Sequence, residues 1–164
     1  MSGSSPAGGP APLSAAAGTG RHPAIERRLG ATPQAVRQTL VDITHTLGER
    51  GYSSVDCDGI EAVLAEILNN IVEHAYRGRR DGWIALRLDP VPGAVICRVT
   101  DGGAPMPGDT APRGRPRDLD VAAADLPEGG FGWFLIRELS QQLHYDRTPG
   151  QNNLSVRIAT GSAP

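Results

Sequence analysis

Cysteine is scarce in this chain. Its two, Cys57 and Cys97, stand far apart and form no C-x-x-C pair. That argues against a disulfide framework or a thiolate zinc site and makes a reducing cytoplasm the natural setting. Long apolar runs are missing too; none approaches the ~20 residues of a membrane-spanning helix. The N-terminus lacks the basic-then-apolar pattern of a secretory leader. An excess of one charge is also missing. Sixteen Lys and Arg against 18 Asp and Glu leave a net charge of -2, so no global field calls for nucleic acid or an anionic membrane surface. There is no internal repeat.

What is present suits one soluble globular domain with a tail. The 164 residues are 39% hydrophobic and 21% charged, somewhat diluted by 21 Gly and 14 Pro. Residues 1 to about 22, MSGSSPAGGPAPLSAAAGTGRH, carry almost no large apolar side chain. They cannot offset their ordering entropy by burial, so a disordered tail is expected there and the domain is expected over 23–161.

Within the domain, Ile25 to Leu29 reads as a short strand. Thr32 then reads as a helix cap, with Pro33 in the first turn where its missing N–H costs nothing. Val36, Leu40, Ile43 and Leu47 recur at helical spacing and predict an amphipathic helix over about 33–50. A second helix is expected from Asp56 or Asp58 to just before Gly78. Its apolar stripe runs through Ile60, Val63, Leu64, Ile67, Leu68, Ile71, Val72 and Ala75. Trp83–Leu88 and Ala94–Thr100 read as strands joined by a turn at D-P-V-P-G. From Asp101 to Gly130 the chain turns to Gly, Pro, Asp and Arg, with one hint of a helical turn at Val121–Asp125. Such a length marks a functional lid or a disordered segment. A third helix over about 132–142 and a hairpin, Leu143–Arg147 with Leu154–Ala159, close the chain. Blocks of helix and strand joined by hairpins predict an α/β two-layer sandwich, its sheet mixed or mostly antiparallel, with helices on one face.

Three stretches carry possible chemistry. The first is E-I-L-N-N-I-V-E-H-A-Y, residues 66–76. Asn is a poor interior helix residue, yet Asn69 and Asn70 sit mid-helix. Glu66 and Asn70 share a face opposite the apolar stripe. An amide oxygen there suits Mg²⁺, and a carboxylate suits accepting a proton from an attacking hydroxyl. On spacing alone a solvated polar face explains the pair more simply. The second is V-T-D-G-G, residues 99–103. A buried Asp at the end of a strand can accept a hydrogen bond from an exocyclic amine, beside glycines that admit a flat ligand; an ordinary turn explains it too. The third is E-G-G-F-G-W-F-L-I-R-E-L, residues 128–139, glycines running into a helix start where phosphate can sit. It is neither a Walker motif nor a dinucleotide fingerprint; a loop that needs glycines to turn is its plain alternative.

In this order the three resemble the GHKL-type ATPase domain shared by histidine kinases, gyrase and MutL, and most closely the anti-sigma-factor serine/threonine kinases. Residues 66–76 resemble that family's N box, V-T-D-G-G its D-x-G box, and G-G-F-G-W-F-L-I-R-E-L its second glycine box. G-Q-N-N-L-S-V-R, residues 150–157, resembles its last strand. The likeness covers roughly 23–160.

The resemblance implies a Bergerat-type ATP-binding fold that uses ATP and Mg²⁺. It implies that Glu66 is the general base toward the protein hydroxyl and Asn70 the Mg²⁺ ligand. Asp101 would read adenine, with Gly103 its companion. Gly130 and Gly132 would lie beside the phosphates, flanked by Phe131. His74 fits the motif and equally fits a structural histidine. Ser155 would stand near Asp101, where the family usually has Thr. Trp133 is read as core or as a cover over the nucleotide. Arg113, Arg115 and Arg117 are read as solvated, or else as reaching phosphates or an acidic partner. Arg77, Arg79 and Arg80 are explained by a solvated helix end. The implied partners are an anti-anti-sigma (STAS-type) protein and a sigma factor or other regulator, with a homodimer possible and neither nucleic acid nor membrane. Two alternatives stand beside this: a non-catalytic ATP-binding switch, and the ATPase domain of a histidine kinase. The latter is disfavoured because no phospho-accepting helix pair precedes the domain.

Overall fold

A computed structural model describes residues 22–114 and 130–161. The expected N-terminal tail, the helical turn at Val121–Asp125, and Arg115 and Arg117 lie outside the described residues.

The chain runs β1 (Ile25–Gly30), α1 (Pro33–Glu49), α2 (Ser54–Asn70), a π-helical turn (Ile71–Ala75), β2 (Trp83–Val91), β3 (Ala94–Asp101), a 3₁₀ turn (Pro107–Asp109), α3 (Phe131–Leu139), β4 (Ser140–Thr148) and β5 (Gln151–Ala159). The strands form one five-stranded sheet in the order β1-β2-β3-β5-β4. Every neighbouring pair is antiparallel, so the expected two-layer architecture with a mostly antiparallel sheet holds, and the antiparallel pairing runs through the whole sheet. The reason lies between β1 and β2. Gly30 pairs with Trp83, so the chain leaves and re-enters the sheet at the same end. The α1–α2 hairpin carries it out and back, and no crossover is made.

The cap of α1 acts as the sequence suggests. Thr32 Oγ1 accepts from Ala35 N at 3.2 Å, with Pro33 in the first turn. Ser53 caps α2 by accepting from Asp56 N at 3.1 Å and donates to the Asp56 carboxylate at 2.7 Å. That cap starts α2 at Ser54, earlier than the acidic residues alone suggest. One core joins the layers. Ile43, Leu47, Ile60, Leu64, Ile67 and Leu68 from the helices meet Ile84, Leu88, Val95 and Val99 from the sheet, and all are fully buried. The other sheet face carries the row Glu26, Arg87, Arg98, Ser155 and His144.

All five strands run longer than expected, β2, β4 and β5 by three residues or more. Asp89 stays in the β2 ladder, opposite Ile96, because Arg87 and Arg98 clasp its buried carboxylate. Ser140 leaves α3 at φ -112°, ψ 142°, and β4 takes residues 140–142 by pairing with β5. Tertiary pairing overrides the local helical pattern there. Among the described residues no helix is long and apolar enough to cross a membrane.

Candidate nucleotide site

The α-helical run of α2 stops at Asn70, and a π turn takes over instead of helix continuing toward Gly78. Tyr76 N bonds Ile71 O at 3.0 Å, a five-residue closure. Such insertions cluster at functional sites, and this one has a visible effect. It aims the Tyr76 hydroxyl at two other elements. The hydroxyl donates to Trp83 O at 2.7 Å and accepts from Trp83 N at 3.2 Å and Gly102 N at 2.9 Å. Ala104 N bonds Ala75 O at 2.9 Å. A Cβ on Gly103 would lie 2.7 Å from Ala75 Cβ and 2.9 Å from its carbonyl. Backbone therefore meets backbone where the D-G-G segment crosses the helix end, and only glycine fits.

Removing the Tyr76 hydroxyl should test this latch. Tyr76→Phe leaves the Trp83 and Gly102 amides without that acceptor. The expected loss is about 1–3 kcal/mol, read as a lower urea midpoint at unchanged m-value.

Between these fastened elements lies a cavity of about 300 Å³, lined by Asn70, His74, Asp101, Met106, Tyr145 and Asn152 among others. Asp101, 4% exposed, is the one carboxylate among the described lining residues. Gly103 N and Asn152 Nδ2 each donate to its Oδ1 at 2.8 Å. Both take the same oxygen, which leaves Oδ2 to meet a ligand. Burial pushes the Asp101 pKa up; the Asn152 and Gly103 bonds and the nearby Arg147 charge oppose that rise.

Asn152 is held in turn. Its Oδ1 receives the Tyr145 hydroxyl at 2.8 Å and an Arg147 guanidinium nitrogen, while its Nδ2 also reaches Ala104 O at 3.0 Å. Donors on its oxygen fix which way the amide points. Tyr145 also accepts from Met106 N at 3.1 Å.

The helix residues take distinct places. Asn70 lines the cavity, and its buried Nδ2 has no hydrogen-bond partner among the described residues. An orphaned buried amide normally has an explanation. A half-turn of the side chain exchanges its nitrogen for its oxygen, so it can serve a phosphate or a cation. His74 is exposed at the cavity, 4.0 Å from Glu73. Asn69 is exposed.

Glu66 is half-buried. The Glu66–Asn70 edge lies opposite the apolar stripe, but it is not an open solvated face, because α3 packs beside it. A Cβ on Gly132 would lie 2.2 Å from Glu66 Oε2. The glycine thus admits the carboxylate to the first turn of α3, where the helix dipole favours negative charge.

Not all expected residues converge. Asn70, His74 and Asp101 do, with Gly103 behind Asp101. Gly130, Phe131 and Gly132 form the α3 N-terminus without lining the cavity, and Phe131 is 43% exposed. Trp133 is both buried and cavity-lining, so its two readings merge. Arg77 lines the cavity, whereas Arg79 pairs with Asp81. Ser155 is a correction. It pairs with Arg98 on one side and His144 on the other, on the outer sheet face away from Asp101. Along β5 the buried residues alternate as Asn152, Leu154, Val156 and Ile158, so Ser155 is out of phase. The place beside Asp101 belongs to Asn152. Counting back by two from Leu154 is the signal that identifies it, and Tyr145 joins it as a second site residue absent from the expected set.

A helix-end amide, a buried strand-end Asp with its glycine, and a glycine-led helix around one cavity coincide with a sequence match. The histidine kinase-like ATPase domain family matches residues 29–158. The chain belongs to that family. Serine-protein kinase RsbW of Listeria monocytogenes is 27% identical over 128 residues, 76% of this chain and 82% of the relative. The Bacillus subtilis protein of the same name is 23% identical over 136 residues, 82% of each. A crystal structure of the RsbU and RsbW domains of a Mycobacterium tuberculosis protein superposes with a TM-score of 0.56 at 19% identity, covering 85% of this chain. The chain spans about a third, 33%, of that longer one. The likeness establishes the shared histidine kinase-like fold.

Proposed function

We propose that this histidine kinase-like domain is a cytoplasmic Mg-ATP-dependent serine/threonine protein kinase of the anti-sigma type. Its substrate would be a hydroxyl on a STAS-type anti-anti-sigma partner, and it would sequester a sigma factor or another regulator when that partner is phosphorylated. The RsbW relatives support the class. The observation that carries the reading is the orphaned amide of Asn70, on the wall of the same cavity as the buried Asp101.

In this reading Asp101 Oδ2 accepts from the adenine amine. Asn70 would hold Mg²⁺, whose charge would offset that of the phosphates. The amides at the α3 N-terminus, led by Gly130 and Gly132, face the phosphates. Glu66 accepts the proton of the attacking hydroxyl as its oxygen bonds the γ-phosphorus and ADP leaves. Phe131 and His74 flank the phosphate path.

A second reading also rests on an observation. Glu66 packs on Gly132 and not in the cavity wall, as suits a switch that binds ATP and alters partner binding without transfer.

Calorimetry with ATP, with and without Mg²⁺, tests the site on the wild type and on Asn70→Ala. Mg-dependent binding that the variant loses is the expected result. A wild type that binds no nucleotide under either condition overturns the proposal.

A further inference from the structure

The inference rests on the nucleotide reading of the cavity and adds a residue outside it. Arg137 lies on α3, one turn beyond Trp133, with its side chain exposed. Its Nε donates to Pro112 O at 2.8 Å and its terminal nitrogen to Ala111 O at 3.0 Å. Two consecutive carbonyls, 25 and 26 residues away in sequence, are thus held by one planar fork. Only Arg has that geometry; a Lys ammonium is a single point.

The same segment touches α3 at a second place. Gly114 has φ +74°, and a Cβ on it would lie 2.2 Å from Phe134 N and 2.6 Å from Phe134 Cα. The segment therefore passes α3 with no room for a side chain. Its buried side does work at the cavity. Ala111 packs against the core, and Pro112 and Trp133 both line the cavity.

We propose that Arg137 is a positioning residue for the nucleotide cavity. By holding Ala111 and Pro112 to α3, it makes Pro112 part of the wall to which Trp133 belongs. Glycine-box helix and cavity wall then move as one piece, so the affinity for nucleotide depends on a side chain that never touches it.

Two readouts test this. The first needs no nucleotide. Trypsin cleavage between Arg113 and Gly114, followed by mass spectrometry at early times, reports how firmly the segment is held. Arg137→Ala should raise that rate at least fivefold in apo protein. Arg137→Lys should fall between the variant and the wild type. Gly114→Ala, which attacks the contact from the other side, should act in the same direction. The second readout is calorimetry with ATP and with ADP. Both dissociation constants should rise about 5- to 10-fold in Arg137→Ala, the equivalent of roughly one ordinary hydrogen bond, with the apo urea midpoint close to wild type.

Unchanged cleavage in Arg137→Ala overturns the proposal whatever ATP does. Faster cleavage at wild-type nucleotide affinity overturns the positioning role. A wild type that binds no nucleotide would overturn the functional reading instead, while the cleavage rate still judges the clamp.

Discussion

Glu66→Gln is expected to lower phosphotransfer by roughly 100- to 10,000-fold, the usual contribution of a positioned general base, while ATP affinity stays within about threefold, a change under 1 kcal/mol. The amide keeps the shape of the carboxylate but cannot take the hydroxyl proton. Affinity is spared because Glu66 is no part of the cavity wall; it lies over Gly132, one helical turn from Asn70. Its carboxylate also sits near the α3 N-terminus, so losing the charge removes about 0.3–1 kcal/mol of dipole interaction. That is small enough to leave a folded variant. The measurement is transfer of labelled γ-phosphate to a STAS-type partner, beside calorimetry on the same preparation. Undiminished transfer removes Glu66 from its role. Tight binding without transfer, in wild type and variant alike, selects the switch reading.

What could be read from the sequence was whatever repeats along the chain. The stripe of Ile60, Val63, Leu64 and Ile67 fixes a buried helix, and Thr32 with Pro33 fixes where its predecessor starts. The motif residues Asn70 and Asp101 were legible because unusual chemistry interrupts an apolar pattern. Relations across the fold were harder. The π turn after Asn70 has no local signature in I-V-E-H-A; it is fixed by Tyr76 reaching Trp83 and Gly102. Ser140 looks helical until β5 offers it a ladder. The family resemblance points to Ser155, where Thr is usual, and so away from Asn152, although the alternation of β5 places Ser155 on the outer face. Arg137 is a plain surface helix residue until Ala111 and Pro112 are seen beside it.

Asp101→Asn should cost ATP binding roughly 10- to 150-fold, or about 1.5–3 kcal/mol for a hydrogen bond to a charged group, and should also change which base is preferred. The argument is one of donor and acceptor count. Gly103 N and Asn152 Nδ2 both donate to Oδ1, and Asn152 cannot turn because Tyr145 and Arg147 donate to its own oxygen. An Asn at 101 must therefore set its oxygen toward those donors and its NH₂ toward the cavity. A donor then meets the donor amine of adenine. A base with a carbonyl at that position, such as hypoxanthine or guanine, meets a matching group instead. The ratio of ATP to ITP affinity should fall in the variant.

The pH dependence follows from the same carboxylate. Burial raises the Asp101 pKa above the ordinary 3.8, so the acceptor is lost to protonation at a higher pH than for an exposed aspartate. Wild-type ATP affinity should thus weaken as pH falls through that raised pKa, and the Asp101→Asn profile should be flat there. The protonated carboxyl is also the cheaper group to bury, so Asp101's own share of the folding free energy improves on acidification while binding declines. Binding and stability moving in opposite directions below neutrality, and doing so only with Asp101 present, is the result to look for. A wild-type ATP to ITP ratio preserved in Asp101→Asn would mean that the base is read elsewhere.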